Sequence, residues 1–380
     1  QIGTPSDGTV STAKLASGAV TTAKIADDAV TTAKINGNAV GSNELADGAV
    51  TNGKLGSEVV TNIKVADNAI NEQKLQVSNS PTNGYFLSAQ SGNTGGLTWA
   101  QVDGGVTSDG SGNTVAGTSA GDSITSGGNN TAVGRNALTA NTTGSNNTAV
   151  GDQALEASTT GQQNVAFGSG ALTSNTTANY NNAIGAFTLR DNTTGGSNTA
   201  LGHGALLVNT TASNNTGVGF NALISNTTGD VNTAVGSYAM AANTTGSSNA
   251  AFGYHALDAN TTGSQNTALG RAALTSATTA SSNTACGFGT LHNTTTGANN
   301  TAVGDVALTM NTTGTQNTAV GTAALDANTT GNYNVAIGYN ALTTATTAER
   351  NTAVGQSALK LTTTGAYNVA VGQGTMNNNT

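Results

Sequence analysis

Three histidines could serve as general bases or metal ligands: His203, His255 and His292. Such chemistry needs them to converge with a nucleophile, an acid or a second ligand within hydrogen-bond reach. The sequence is a seventeen-residue repeat over most of its length, and in that frame they occupy the sixth, seventh and tenth places of different repeats. They form no column and share no local partner. The acids of the same region, Asp152, Glu156, Asp191, Asp230, Asp258, Asp305 and Asp326, are scattered; Asp258 and Asp326 share the tenth place, several repeats apart. Glycoside hydrolysis requires two carboxyls within about 10 Å, and neighbouring repeats offer none. Ligand spacings for zinc or calcium do not occur. The expectation is a protein that is not an enzyme, with no catalytic, cofactor-binding or metal residue and with receptor-binding residues unassigned.

Other chemistry-bearing residues have simpler readings. Cys286 is the single cysteine, so no internal disulfide is possible. It replaces Val in the fourth place of its repeat and is expected to be a buried packing thiol. The recurrent glycines do not compose a phosphate loop, since neither GxGxxG nor GxxxxGK[ST] falls between a strand and a helix. Triplets such as Asn141-Thr142-Thr143 match glycosylation acceptors, but stacking of identical side chains explains them equally.

Composition narrows the class. Of 380 residues only 8% are charged, against roughly 25% in ordinary globular proteins. There are 51 Gly and 2 Pro, and the net charge of −8 is diffuse. No basic tract suits nucleic acid or an anionic lipid surface, and no apolar run approaches the roughly 20 residues of a membrane span. No secretory signal is visible; the chain does not begin with Met, so one could have been removed. It breaks off at NNNT inside the repeat pattern, and further chain is expected beyond.

The elements that position these residues come from two periods. Residues 1–76 repeat every ten, as in DGTVSTAKLA, SGAVTTAKIA and DDAVTTAKIN, with an aliphatic residue every five positions from Val10 to Leu75. That step fits neither helix nor strand over distance. It suits short extended pieces separated by turns, and one aliphatic in five cannot close a core within one chain. A thin shaft of several chains is expected. Residues 77–112 form a connector, in which GYFLSAQ and GGLTWAQV read as two strands of a hairpin. There Tyr85, Phe86 and Trp99 would make an aromatic plug, with an ordinary hairpin or linker as the alternative.

Residues 113–380 carry fifteen uninterrupted copies of the seventeen-residue word, each with Gly in fifth place from Gly134 to Gly372, after a degenerate first turn at Gly117. Asn begins every copy, Ala or Gly217 fills the third place, and the fourth is apolar from Val133, Val150 and Phe167 onward. Ala dominates the eighth place, Leu or Met the ninth, and two adjacent Thr columns begin at Thr142 and Thr143. Fixed-period self-similarity of this kind predicts an all-β parallel solenoid. Seventeen residues give a perimeter of roughly 56 Å, and sixteen rungs at about 4.8 Å give a length of roughly 77 Å. The fourth and ninth columns are expected to fill a narrow interior, with Asn and Thr bonding to their copies above and below. The sixth, seventh, tenth, eleventh, sixteenth and seventeenth places should face out. Aromatics there (Tyr180, Phe187, Phe220, Tyr238, Tyr254, Phe288, Tyr333, Tyr339, Tyr367) would stack on sugar rings or fill a seam between chains.

The tandem GAVTTAKIADDAVTTAKI and the segment TNGYFLSAQSGNTGGLTWA resemble phage tail-fibre shafts, especially those of marine and cyanobacterial phages. The NTAVGxxALxxNTTG units are distantly similar to head repeats of trimeric autotransporter adhesins, whose repeat is shorter. The resemblance implies a homotrimeric fibre in the virion. Its N-terminal end would sit on a tail or baseplate protein and its C-terminal end would face a host surface glycan or protein. No cofactor, nucleic acid or membrane insertion is implied. The implied function is structural and adhesive: host attachment, with the repeats as rigid spacer and display surface. Three alternatives stay open: a bacterial surface adhesin or extracellular filament subunit, an ice-binding Thr-rich solenoid, and a polysaccharide-degrading β-helix. The ice reading is opposed by the adjacency of the two Thr places, which cannot share one strand face.

Overall fold

The computed structural model describes residues 106–378 continuously, strands at 85–89 and 97–101, and a few positions between 16 and 31. Contacts divide the chain into two units, residues 1–78 with 90–97 and residues 79–89 with 98–380. In the first, a turn closed by Ala19 N–H donating to Ala16 O at 2.9 Å recurs ten residues on, from Ala29 to Ala26 at 3.0 Å. The rest of the ten-residue array lies outside the described residues, as do the side chains of Tyr85, Phe86 and Trp99. Strands β1 (Tyr85–Ala89) and β2 (Leu97–Gln101) pair in a two-stranded sheet.

The remainder is a β-solenoid. A short strand β3 (Thr107–Ser108) runs antiparallel to β4 (Thr114–Ala116), and β4 begins a file of sixteen strands, parallel and in register, that ends at β19 (Val369–Val371). Each strand is three residues long, one per seventeen-residue turn. Val133 of β5 (Thr131–Val133) pairs with Val150 of β6 (Thr148–Val150), and Val150 with Phe167 of β7 (Val165–Phe167). The predicted stacking of equivalent residues on successive rungs is therefore the organising feature of the fold.

The interior differs from expectation in one column. The ninth-place Leu column is wholly buried, as are the Ala columns in third and eighth place. The fourth column faces out: Val133 is 37%, Phe167 56% and Leu269 50% exposed. A strand alternates faces. Once Ala132 points inward, Thr131 and Val133 must point outward. Cys286, in β14 (Thr284–Cys286), goes with its column and is only half-buried, not the buried thiol expected.

Space left by the small Ala side chains is filled by asparagine. Asn in the first place is buried in every interior turn. Its Oδ1 accepts from the backbone N–H of the Asn one rung on, as from Asn147 to Asn130 at 2.9 Å, and its Nδ2 donates to a backbone oxygen in the fifteenth place, as from Asn130 to Gly144 at 2.9 Å. A second Asn file occupies the twelfth place, with Asn192 Nδ2 donating to Asn175 Oδ1 at 3.0 Å and Asn209 Nδ2 to Asn192 Oδ1 at 2.9 Å. These amides satisfy backbone groups that a narrow interior would otherwise leave bare, at roughly 1–3 kcal/mol each.

Three corners of each turn are left-handed. The seventh, ninth and seventeenth places have positive φ, for example Asn136 at 58°, Leu138 at 53° and Asn146 at 59°. A leucine there is costly, about 1–2 kcal/mol, which the roughly 1.5–3 kcal/mol gained by burying its side chain offsets. The bend breaks alternation, so Ala137 and Leu138, though consecutive, are both fully buried. In fifth place the backbones of successive rungs touch: a Cβ on Gly219 (φ 133°) would lie 2.6 Å from the carbonyl carbon and oxygen of Gly236. Only glycine fits.

Candidate functional site

The histidines and acids sit on the outer skin of the solenoid. His255 is not partnerless as expected: its Nδ1 lies 2.6 Å from Asp258 Oδ2, because a three-residue step across the left-handed corner brings seventh and tenth places together. The pair has the orienting acid and imidazole of a general base, but among the described residues no hydroxyl bonds to the imidazole. His292 Nδ1 lies 3.3 Å from the backbone oxygen of Ala272, and His203 packs between the rings of Phe187 and Phe220. Asp152 pairs with Arg135 on the preceding rung at 2.9 Å, and Arg190 holds Asp191 through two bonds of 2.7 Å. Among the described residues no three His, Cys, Asp or Glu side chains gather where a metal ion could be held.

Aromatic residues that looked sporadic in the sequence converge. Phe187, His203, Phe220, Tyr238 and His255 form a continuous file, with centroid separations of 5.9, 5.5, 5.4 and 5.1 Å, and Tyr254 closes it at 4.2 Å from His255. Sixth and seventh places share one corner, so rings alternating between them stack all the same. The signal was present: five successive turns carry a ring in one of the two places. A second group lies nearer the C-terminal end. There the Arg350 guanidinium sits 5.1 Å from the Tyr333 ring and 5.4 Å from that of Tyr367, a geometry that attracts the cation to the ring faces.

The other surface feature is the outer face of the strands. Its two columns, second and fourth place, hold Thr, Val, Asn, Ala, Ile, Leu, Phe and Cys286, with no charged residue in any of fifteen repeats. The paired Thr columns of the ice-binding reading lie elsewhere. The first donates its hydroxyl to a backbone oxygen of the next rung, as from Thr142 Oγ1 to Thr159 O at 3.1 Å and from Thr244 to Thr261 at 3.0 Å. The second is exposed in every repeat that carries it.

At the N-terminal end Asp109 caps the asparagine file. Its Oδ1 accepts from the backbone of Asn113 at 2.8 Å and of Ser111 at 2.9 Å, and its Oδ2 accepts from Asn113 Nδ2 at 2.8 Å. The Asn113 side-chain bond, and then the Asn113 backbone bond, hold the Asp109 carboxyl below its ordinary value. Beside it is a hollow of about 170 Å³ lined by Ser108, Asn113, Val115, Gly121 and Ile124, smaller than the roughly 300 Å³ at which small-molecule sites begin.

The fold defines a β-solenoid repeat protein with two organised surfaces, the aromatic file and the charge-free strand face. No family model, curated protein or solved structure matches the chain.

Proposed function

We propose that this chain is the rod of an adhesive fibre of phage tail-fibre type, structural and non-enzymatic, that carries an attachment surface at a fixed distance from a virion. The observation that carries the reading is the unbroken file of sixteen in-register strands, bonded rung to rung by backbone and buried asparagine. Such a stack is stiff along its axis and offers the same section throughout. That is what a spacer needs and what a catalytic cleft does not. In this reading the fibre is a homotrimer. Its ten-residue array forms a thin shaft whose aliphatic side chains are shared between chains; Val20 and Ile25, 54% and 42% exposed in the single chain, support that arrangement. The N-terminal end joins a tail or baseplate protein, and the C-terminal end meets a host surface glycan or protein.

Gold-labelled antibodies against residues 113–380 test this on lysates imaged by electron microscopy. Label along fibres of tailed particles is the expected result. Label confined to cell envelopes would overturn the virion assignment in favour of a bacterial surface adhesin or filament subunit.

A further inference from the structure

We infer that the outer strand face, the second and fourth columns, is the seam along which parallel copies of this chain pack in register; the inference rests on the multi-copy fibre proposed above and names the surface that builds it. The fourth column is apolar in all fifteen repeats, yet it faces out. Val133, Phe167, Ile184, Leu201, Phe252 and Leu269 are 37–56% exposed. Burying such a file from water is favourable in proportion to the apolar area removed. A strip of fifteen rungs at about 4.8 Å and three residues at about 3.3 Å covers roughly 700 Å². Two such strips remove roughly 1,400 Å² in total, inside the range of stable protein interfaces.

Three observations select a second copy as the occupant. The face carries no charge along its whole length, whereas the sixth and tenth columns carry Arg, Asp, Glu, Lys and His. The strip also runs the full solenoid, unlike the aromatic file, which ends after five turns. A partner must therefore offer contacts at the same spacing from end to end, and another copy of this chain does so by construction. Rotational symmetry, the usual arrangement of identical subunits, sets equal residues at equal heights along such a seam. Cys286 then faces the partner's own Cys286.

Cys286 is the natural reporter. The 380-residue chain is treated with copper–phenanthroline or a short bis-maleimide, alongside light scattering. The expected result is a covalent dimer through Cys286. Thr296→Cys in a Cys286→Ser background should give none, because Thr296 is exposed on the same turn but off the strip. A multimer that links through the Thr296→Cys thiol and not through Cys286 would overturn the seam and leave the fibre reading standing. Monomers at micromolar concentration would overturn both. As a second measurement, Val150→Lys, Val218→Lys and Val320→Lys together should convert the multimer to monomers with the β-sheet circular dichroism unchanged. A folded triple variant that stays multimeric would also overturn the seam.

Discussion

The backbone N–H of Asn232 donates to Oδ1 of Asn215 at 2.9 Å, and Asn215 in turn donates from its own backbone to Oδ1 of Asn198 at 2.9 Å. Asn215 is thus tied by its backbone to the rung before and by its side chain to the rung after, and its Nδ2 donates to Gly229 O on its own rung at 2.9 Å. Asn215→Ala strands the buried backbone N–H of Asn232, while Gly229 O keeps its bond from Asn226 Nδ2 at 3.0 Å. A loss of roughly 1–3 kcal/mol in urea unfolding is expected. Thr211→Ala, on an exposed side chain, should stay within about 0.5 kcal/mol.

The second asparagine file has gaps, and each leaves a mark. Asn260 Oδ1 and Asn328 Oδ1 are buried without a hydrogen-bond partner, and the residues one rung on are Ala277 and Ala345, which have no amide to offer. Elsewhere that position supplies the donor, as Asn260 Nδ2 does to Asn243 Oδ1 at 2.7 Å. Ala277→Asn and Ala345→Asn are each expected to stabilise by about 1 kcal/mol. Lower midpoints in denaturant for both would show that the interior has no room for the amide.

The left-handed ninth place separates volume from shape. Leu257 is fully buried at φ 54°, and Met240 holds the same place one turn earlier at φ 53°. Leu257→Met should cost under about 1.5 kcal/mol, and Leu257→Ala about 2–5 kcal/mol. Leu257→Val should cost more than its lost methylene, because a β-branched side chain tolerates positive φ poorly. Unfolding midpoints of the three variants test the order.

Two glycines with positive φ should behave oppositely. Gly219→Ala drives a Cβ into the backbone of Gly236 and is expected to cost on the order of 3 kcal/mol or more. At Gly289 (φ 60°) the nearest atom to an added Cβ is Val306 Cγ1 at 3.6 Å. Asn already occupies its column at Asn136, Asn221 and Asn340, so Gly289→Asn should change stability by less than about 1 kcal/mol.

Acid should loosen the first turn before the rest. Asp109 has its carboxyl depressed below the ordinary 3.8 by the bonds from Asn113. A lowered folded-state pKa contributes stability above the unfolded value, and that stability is lost as pH falls through the folded one. Amide exchange at Ser111 and Asn113 should accelerate as pH drops below about 4, after correction for intrinsic rates. Asp109→Asn should abolish the pH dependence; its persistence would assign the effect to another group.

The rung length, the stacking and the bonding of asparagine to its copies were legible because each is a column property: fifteen repetitions of one residue leave few physical explanations. The direction of the fourth column was not read correctly, although the information was there. Ala132 and Val133 are neighbours in an extended segment and cannot both point inward. What obscured it was hydrophobicity, which named Val as core, and the adjacent pair Ala137 and Leu138, which does share the interior. That pair depends on Leu138 taking a left-handed conformation, and a leucine advertises no such thing. The aromatic file was missed for a related reason, since its rings alternate between two places that a corner merges.

The contact between Gly219 and Gly236 also constrains how such a molecule can change its reach. A single inserted residue would put the glycines on either side of it out of register and jam side chain into backbone at that rung, whereas a whole seventeen-residue word adds one rung and disturbs nothing. Length in this architecture is therefore quantised, in increments of about 4.8 Å. Duplicating or deleting complete words is a graduated adjustment of stand-off that leaves the ends, and whatever they hold, untouched.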